Sequence, residues 1–592
     1  KTLAVRRPQL YRKSNQLNIH KMRKQTNFLK LFLLGLSFAT VLSCSDEPNS
    51  TESSTSTYDK EAYLELGTKL ENPYSVKNMK RALDSVKAKM TTSKTSKISS
   101  SLSDFDIETS HLYVKIEPKD ATQETLLKQD TAQAFFDYPL DYEFPAEVSE
   151  QIGTKNKDSI STYYVAVPKD YVFPEGIKTE VIEQLYIPEQ DPYFDNISET
   201  GKVSKTSINS KEDLLGNLLI EAYSLTHNEK QLGITPASKT SKTAWWIFGK
   251  KWRPSGRITT YDNTIGKEIP VEGAQVLIRQ WFTVDSGITD ANGYFSTGTV
   301  RGEAKYVLQW ERYHYSIRNG LFGQAETKSG YKKNEPWNLY ITNNRDQYFA
   351  NVHQAAHDYY YKDILGLERP QLNSFWRRQM KIATFDTWSS SLHLYETAGF
   401  GILPSIYLRV DGAPSEIMYG TTIHELTHSA HHEMSPSAYD SLIWKAYADP
   451  GVWASSGETE KYKSAKRTLE SWATAIEITL TNLRYQRLGY PNHRYKLNYK
   501  NTPNYQNIEL TNADDVNNFY TSVFYDLTDN FNQRQEYYWL PNMAQDRVSG
   551  FTIKQVQDII KGSQSWGEVK GKLRSQYPNT ANLTDELLTN WQ

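Results

Sequence analysis

One cysteine, Cys44, stands in a chain of 592 residues. No internal disulfide can form, and no zinc or iron–sulfur site can be built on thiolates. The fold must therefore be held by packing and hydrogen bonds, and any metal must be taken by His, Asp or Glu. The apolar material is unusual, because 40 of the residues are tyrosine and aromatics reach 13% while the whole hydrophobic set is only 38%. A chain this long is expected to form about three to five folding units. Lys and Arg number 68 against 69 Asp and Glu. That balance argues against a nucleic-acid partner held by a strong overall field.

The first 30 residues carry nine basic side chains and no acidic one, and the first carboxylate is Asp46. Thirteen uncharged, mostly apolar residues (31–43) then lead to Cys44. A span needs about 20 apolar residues, so this run is too short to cross a membrane stably. Basic region, short apolar core and small residues before a cleavage point describe a secretory signal. We read Met22 as the start, residues 1–21 as upstream translation and 22–43 as the signal. The Val41-Leu42-Ser43-Cys44 ending resembles a bacterial lipobox, which implies lipidation of Cys44. Ser45-Asp46-Glu47 is similar to the acidic export signal of surface lipoproteins in Bacteroidetes-type bacteria. The implied location is the outer membrane, surface-exposed, through a lipid anchor. None of the 69 acidic residues precedes Cys44, so the chain from Cys44 onward carries ten more acidic than basic residues.

Residues 44–60 read as a Ser/Thr/acidic tether, with nothing to build a core. Residues 61–240 read as an α+β N-terminal module, with strand-like alternation in HLYVKIEP and TYYVAVP and a helical pattern over 214–225. From Gly256 the texture changes to short alternating runs broken by Gly, Pro, Asn and Asp. Asp290-Ala291-Asn292-Gly293 is a tight-turn signal, since Asn-Gly tolerates positive φ. Together with Gly256, the Pro270–Ala274 run and Thr289–Phe295, this pattern over 250–344 resembles the carboxypeptidase regulatory-like, transthyretin-like β-sandwich. Such modules act as spacers or as glycan- or protein-binding domains. The aromatic, basic run Trp245–Trp252 just before it reads as packing.

From residue 345 helical periodicity dominates, over 347–364, 415–434 and 465–483, with Pro436 stopping the second run. Residues 405–410 read as a strand, and 514–531 and 552–562 as two further helical runs. The fold class expected is multidomain, with an α+β module, an all-β sandwich and a mainly helical α+β domain over 345–592.

The second of these helices carries His424-Glu425-Leu426-Thr427-His428. Histidines at i and i+4 share one helix face, with Cβ atoms about 5–6 Å apart. Both imidazoles can then reach one Zn²⁺, while Glu425 flanks the ion without ligating it and can take a proton from water. A third protein ligand is needed. A metzincin would have Gly at 431 and His at 434, where this chain has His431 and Met434. His432 and His431 lie about 12 and 10 Å along the axis from His424, too far for one tetrahedral ion. Glu470, amid apolar residues at helical spacing, is the best candidate, because a carboxylate on such a face is costly unless paired or metal-bound. Glu477 lies seven residues on along the same stripe, as an orienter of a ligand histidine or as the alternative ligand. His353 and His357 form another i, i+4 pair but no Glu follows His353, so they read as packing or supporting residues.

A HELTH helix followed by a glutamate-bearing helix resembles the gluzincin class of zinc metallopeptidases, the thermolysin-like enzymes among them. The resemblance covers 345–592 at fold level, and the 42-residue gap from His428 to Glu470 is longer than in thermolysin-like enzymes. It implies His424, His428 and Glu470 as zinc ligands and Glu425 as general base, acting on a protein or peptide substrate. It implies that residues 405–410 form the edge strand holding an extended substrate. It also implies an oxyanion-stabilising Tyr or His, for which Tyr520, Tyr525 and His493 are candidates. The alternative reading is a non-catalytic surface-binding lipoprotein with a relic zincin fold; a narrow-specificity aminopeptidase or maturation protease is a third.

Overall fold

The computed structural model describes residues 68–92, 105–130, 133–142, 162–195, 205–229, 251–300, 302–320, 323–374, 379–386, 392–393, 405–448, 460–495, 521–536 and 545–590. The leader, Cys44, the tether and Tyr520 lie outside these residues. Helices and sheets are mixed along the chain. No described helix is long and apolar enough to cross a membrane.

The first described stretch contains α1 (Val76–Thr92), β1 (His111–Glu117), α2 (Ala121–Lys128), β2 (Tyr163–Pro168), β3 (Lys178–Leu185) and α3 (Lys205–Leu225). The strands form an antiparallel sheet ordered β2-β1-β3. Asp120 starts α2 by accepting the Gln123 N–H, satisfying one of the free donors of its first turn.

Eleven short strands follow: β4 (Ser255–Asp262), β5 (Lys267–Pro270), β6 (Gln275–Gln280), β7 (Thr283–Ile288), β8 (Tyr294–Ser296), β9 (Ala304–Gln309), β10 (Glu311–Arg312), β11 (Tyr315–Asn319), β12 (Gly323–Gln324), β13 (Glu326–Lys332) and β14 (Trp337–Ile341). One sheet is ordered β13-β9-β6-β7, and another β14-β4-β5 with β8 also beside β4. The two pack face to face. Tyr306 of β9 sits with its ring centroid 5.9 Å from Phe295 of β8 and 5.4 Å from Trp337 of β14. Gly256 is required where β4 meets β14, because a Cβ there would lie 2.0 Å from the Trp337 carbonyl oxygen. At the Asp290–Gly293 turn, Asp290 Oδ1 accepts the N–H groups of Asn292 and Tyr294, and Gly293 takes φ +81°. This turn carries the chain from one sheet to the other, since β7 and β8 belong to different sheets.

Leu277 and Val307 are register partners on the opposite face of the β13-β9-β6-β7 sheet from Tyr306. They join one core with Tyr113, Leu219 and Tyr223. Residues before 240 therefore share a core with the β-rich stretch.

Residues on either side of 344 share a further sheet. β10, β11 and β12 leave the β-rich stretch and join β15 (Met380–Thr384), β16 (Leu392–His393) and β17 (Ile406–Leu408), in the order β10-β11-β15-β17-β16 with β12 beside β11. β11 pairs in parallel with β15, from Tyr315↔Met380 to Asn319↔Thr384. β16 pairs antiparallel outside β17, with Leu392↔Tyr407 and His393↔Ile406. The expected edge strand at 405–410 is thus an inner strand, and β16 holds the edge.

Side chains alternate across this sheet. Tyr315 faces α4 (Asn344–Tyr361), where its hydroxyl lies 3.0 Å from His353 Nδ1. Ser316, Arg318 and Lys381 are buried on the other side. There Lys381 Nζ meets Glu124 of α2 at 2.5 Å, and the Arg318 guanidinium lies 3.9 Å from both Glu124 and Asp137. Tyr163 donates to Glu124 as well. Burial pushes the Glu124 carboxyl up, but Lys381, Lys128 and Arg318 outweigh it and hold the group below the usual carboxylate range.

Beyond lie α5 (Ser415–Met434), α6 (Pro436–Ile443), a π-helical turn (Trp444–Ala448), α7 (Glu460–Arg487), α8 (Ile553–Ile560), α9 (Trp566–Gln576) and α10 (Ala581–Leu587). Pro436 occupies the first turn of α6, where a missing N–H is tolerated, and so ends α5. Within the expected helical run 514–531, the described residues form only the short helix Val523–Asp526. The described residues group into two compact units, one of 68–433 with 477–495 and the other of 434–476 with 521–590. The second unit has its own core, with Tyr439, Leu442, Ala446, Ala465 and Leu469. Its Ser464 accepts the backbone N–H of Trp566 at 2.8 Å.

Two outcomes follow. Glu124→Ala leaves Lys381 and Arg318 buried with too little opposing charge, and should lower stability by about 3–5 kcal/mol in chemical denaturation. His353, packed inside with Nε2 2.9 Å from the Glu272 carbonyl, is held neutral down to about pH 3 by burial and by His357. An unfolded imidazole titrates near pH 6.5. The unfolded chain thus binds more protons in that window, and the His353 contribution is present above about 6.5 and lost as pH falls toward 3. His353→Gln should show a shallower fall of Tm between pH 7 and pH 4 than the parent.

Candidate metal centre

α5 begins where Ser415 and Asn263 exchange hydrogen bonds, the Ser415 N–H to Asn263 Oδ1 at 2.6 Å and the Asn263 N–H to Ser415 Oγ at 3.1 Å. One side of the helix packs on α4. Tyr359 Oη lies 3.3 Å from Thr427 Oγ1, and Tyr419 donates to Asp358 at 3.0 Å. Thr427 and Tyr419 being committed there, His424, Glu425 and His428 are turned to other faces of the helix. All three are buried. The two imidazole centroids lie 5.0 Å apart with planes at 74°, as one helical turn requires.

α7 carries two buried carboxylates, Glu470 and Glu477. Seven residues of helix bring both to one stripe, about 10 Å apart along the axis. Their partners differ. Glu477 Oε2 lies 3.1 Å from His424 Nδ1, so the ring can donate Nδ1–H to the carboxylate and keep Nε2 for another partner. Glu470 Oε1 accepts from Tyr447 Oη at 2.6 Å, from the π-helical turn Trp444–Ala448. One ligand atom each of His424, His428 and Glu470 lie within 4.8 Å of one another. Tetrahedral bonds of about 2.0–2.1 Å put donors roughly 3.3 Å apart, a spread that modest side-chain rotation closes. The residues therefore fit a small divalent cation, with two nitrogens and one carboxylate oxygen, and Glu477 supports the histidine from behind.

The remaining site expectations fall elsewhere. His493 is not at this trio, because its Nε2 pairs with Glu416 Oε2 at 2.9 Å and its ring stacks on Tyr485 at 4.1 Å. Glu416 stands in the first turn of α5, eight residues and about 12 Å along the axis before His424. His493 as oxyanion stabiliser is therefore corrected to a partner of the helix start. Tyr525 sits half-buried in the short helix Val523–Asp526. Tyr520 and Cys44 lie outside the described residues. His431 and His432 are buried on α5, and burial, then the His428 and His432 charges, keeps His431 neutral down to about pH 3. His353 and His357 stack on each other at 5.8 Å, among aromatics of α4 and β11.

Tyr447 was not legible as a partner of Glu470. Among 40 tyrosines no spacing singles it out, and only the π-helical turn, a frequent companion of functional sites, marks it in three dimensions.

In comparisons with family models, with curated proteins and with solved structures, the chain matches none.

Alanine at His424, His428 or Glu470 should abolish stoichiometric metal binding in elemental analysis of the purified chain. Glu477→Ala should retain the metal with affinity weakened about 10–100-fold.

Proposed function

We propose that the protein is a zinc metallopeptidase of the gluzincin type, cleaving peptide bonds of protein or peptide substrates at a bacterial surface. The observation that carries the reading is the convergence of His424, His428 and Glu470 on one point, with Glu425 on the same helix. Two histidines with one glutamate form a known donor set of catalytic zinc sites, which leave a fourth position open. Zinc bound there supplies Lewis acidity toward a carbonyl oxygen and lowers the pKa of nearby water.

The side chains divide the remaining work. His424, His428 and Glu470 hold the ion. Glu477 keeps the His424 ring oriented through Nδ1. Glu425, one residue beyond His424, accepts the proton of the attacking water on its carboxylate. It then returns that proton to the amine nitrogen as the peptide C–N bond breaks. Glu425 is buried on the same helix as both histidines.

The same reading takes the facing sheets of 255–341 as a transthyretin-like sandwich, serving as spacer or as a glycan- or protein-contacting module. It takes Cys44 as the lipidated residue that tethers the chain to the outer membrane.

Glu425→Gln tests the mechanism. The variant should keep its zinc but lose casein hydrolysis by a factor on the order of 10²–10⁴. Cleavage at the parent rate by that variant would overturn the assignment. A purified parent chain free of zinc would instead favour a surface-binding protein on a relic fold.

A further inference from the structure

Gly420 lies one helical turn before His424 on the same side of α5. A Cβ at this position would stand 2.4 Å from Tyr495 Oη and 3.0 Å from Glu477 Oε1. Real Cβ atoms do not approach that closely, so the glycine leaves room for a hydroxyl and a carboxylate against the helix backbone. Gly420 is within the helix, where glycine costs about 1 kcal/mol relative to alanine. Nothing in the helical conformation itself calls for it there.

What occupies the room is a chain of three groups. Tyr495 donates to Glu477 Oε1 at 2.6 Å, and Glu477 Oε2 receives His424 Nδ1 at 3.1 Å. Each oxygen of the carboxylate therefore has a separate task. Tyr495 is in turn held by its backbone, whose N–H donates to Asn482 Oδ1 at 2.9 Å, and its ring is buried. The hydroxyl fixes one end of the carboxylate, so the other end cannot rotate away from the imidazole. With Nδ1 held by Glu477, the imidazole keeps Nε2 for another partner.

We infer that Tyr495 and Gly420 are positioning residues of the metal centre, acting on His424 through Glu477. This inference rests on the reading of His424, His428 and Glu470 as metal ligands. It adds to that centre two residues that lie outside the HELTH motif and touch neither the ion nor the substrate.

The test is zinc affinity of the full chain, measured by competition with a chromogenic chelator, beside thermal unfolding of the metal-free protein. Tyr495→Phe keeps the ring and the Asn482 anchor and removes only the hydroxyl. Its zinc dissociation constant should rise about tenfold or more. Gly420→Ala drives the hydroxyl off the carboxylate by a different route and should weaken zinc binding to a similar degree. A role in stability alone would lower the Tm of the metal-free variants and leave zinc affinity unchanged. Parent-like affinity in both variants overturns the inference while leaving the metal centre intact. Absence of zinc binding in the parent overturns the reading of the centre itself, and this inference with it.

Discussion

Tyrosine hydroxyls let this chain carry carboxylates into its interior. Tyr113 donates to Asp141 at 2.9 Å, Tyr74 to Glu189 at 2.9 Å, Tyr419 to Asp358 at 3.0 Å and Tyr485 to Asp262 at 3.1 Å. Tyr163 does the same for Glu124, Tyr447 for Glu470 and Tyr495 for Glu477. A hydrogen bond to a charged acceptor contributes about 1.5–3 kcal/mol, while leaving that charge unpaired costs more. Tyrosine is suited to this because it desolvates no second charge, and its ring adds apolar contact. Burial drives the phenol further from ionisation, as at Tyr113, Tyr163 and Tyr419, so the donor keeps its proton. The 40 tyrosines of the chain thus have a physical meaning: buried rings whose hydroxyl tips are spent on acids.

A second device holds the sheet that backs the HELTH helix. Arg318 and Lys381 are buried on the face of that sheet away from α4, and their countercharges come from Glu124 and Asp137, almost 200 residues or more earlier in the chain. Burial leaves its mark on both signs, raising Asp137 to about 7 and lowering Lys381 to about 8. Two cations on a sheet face are not stable without an acidic cover. The stretch before residue 240 is therefore part of what makes the sheet possible. Removing that stretch would leave Arg318 and Lys381 without the carboxylates of Glu124 and Asp137.

Local features were legible from the sequence where a short range of residues decides them. α5 runs from Ser415 to Met434, the span read from periodicity and the Pro436 stop, and the HELTH spacing fixes the two imidazoles on one face. The Asp290–Gly293 turn was legible for the same reason, though its destination was not. Pairings over long range were hidden. β11 alternates apolar and polar residues as a sandwich strand would, and nothing local announces a parallel partner at Met380–Thr384. His493 was a candidate only through the resemblance, and Tyr485 and Glu416 take its face and its edge.

The division of labour on α7 shows why motif reading stops short of a site. Glu470 and Glu477 share residue type, burial and helix face, so helical periodicity treats them alike. What separates them is which group reaches each from elsewhere. Glu477 is bridged between an imidazole and Tyr495, so ligating an ion would require it to give up His424. Glu470 meets Tyr447 through one oxygen and shares a point with both histidines. Assigning ligand and support thus depends on tyrosines 23 and 18 residues away from the two acids along the chain. In a chain with 40 tyrosines that information lives in the packing, and the two carboxylates are told apart by the hydroxyls that reach them.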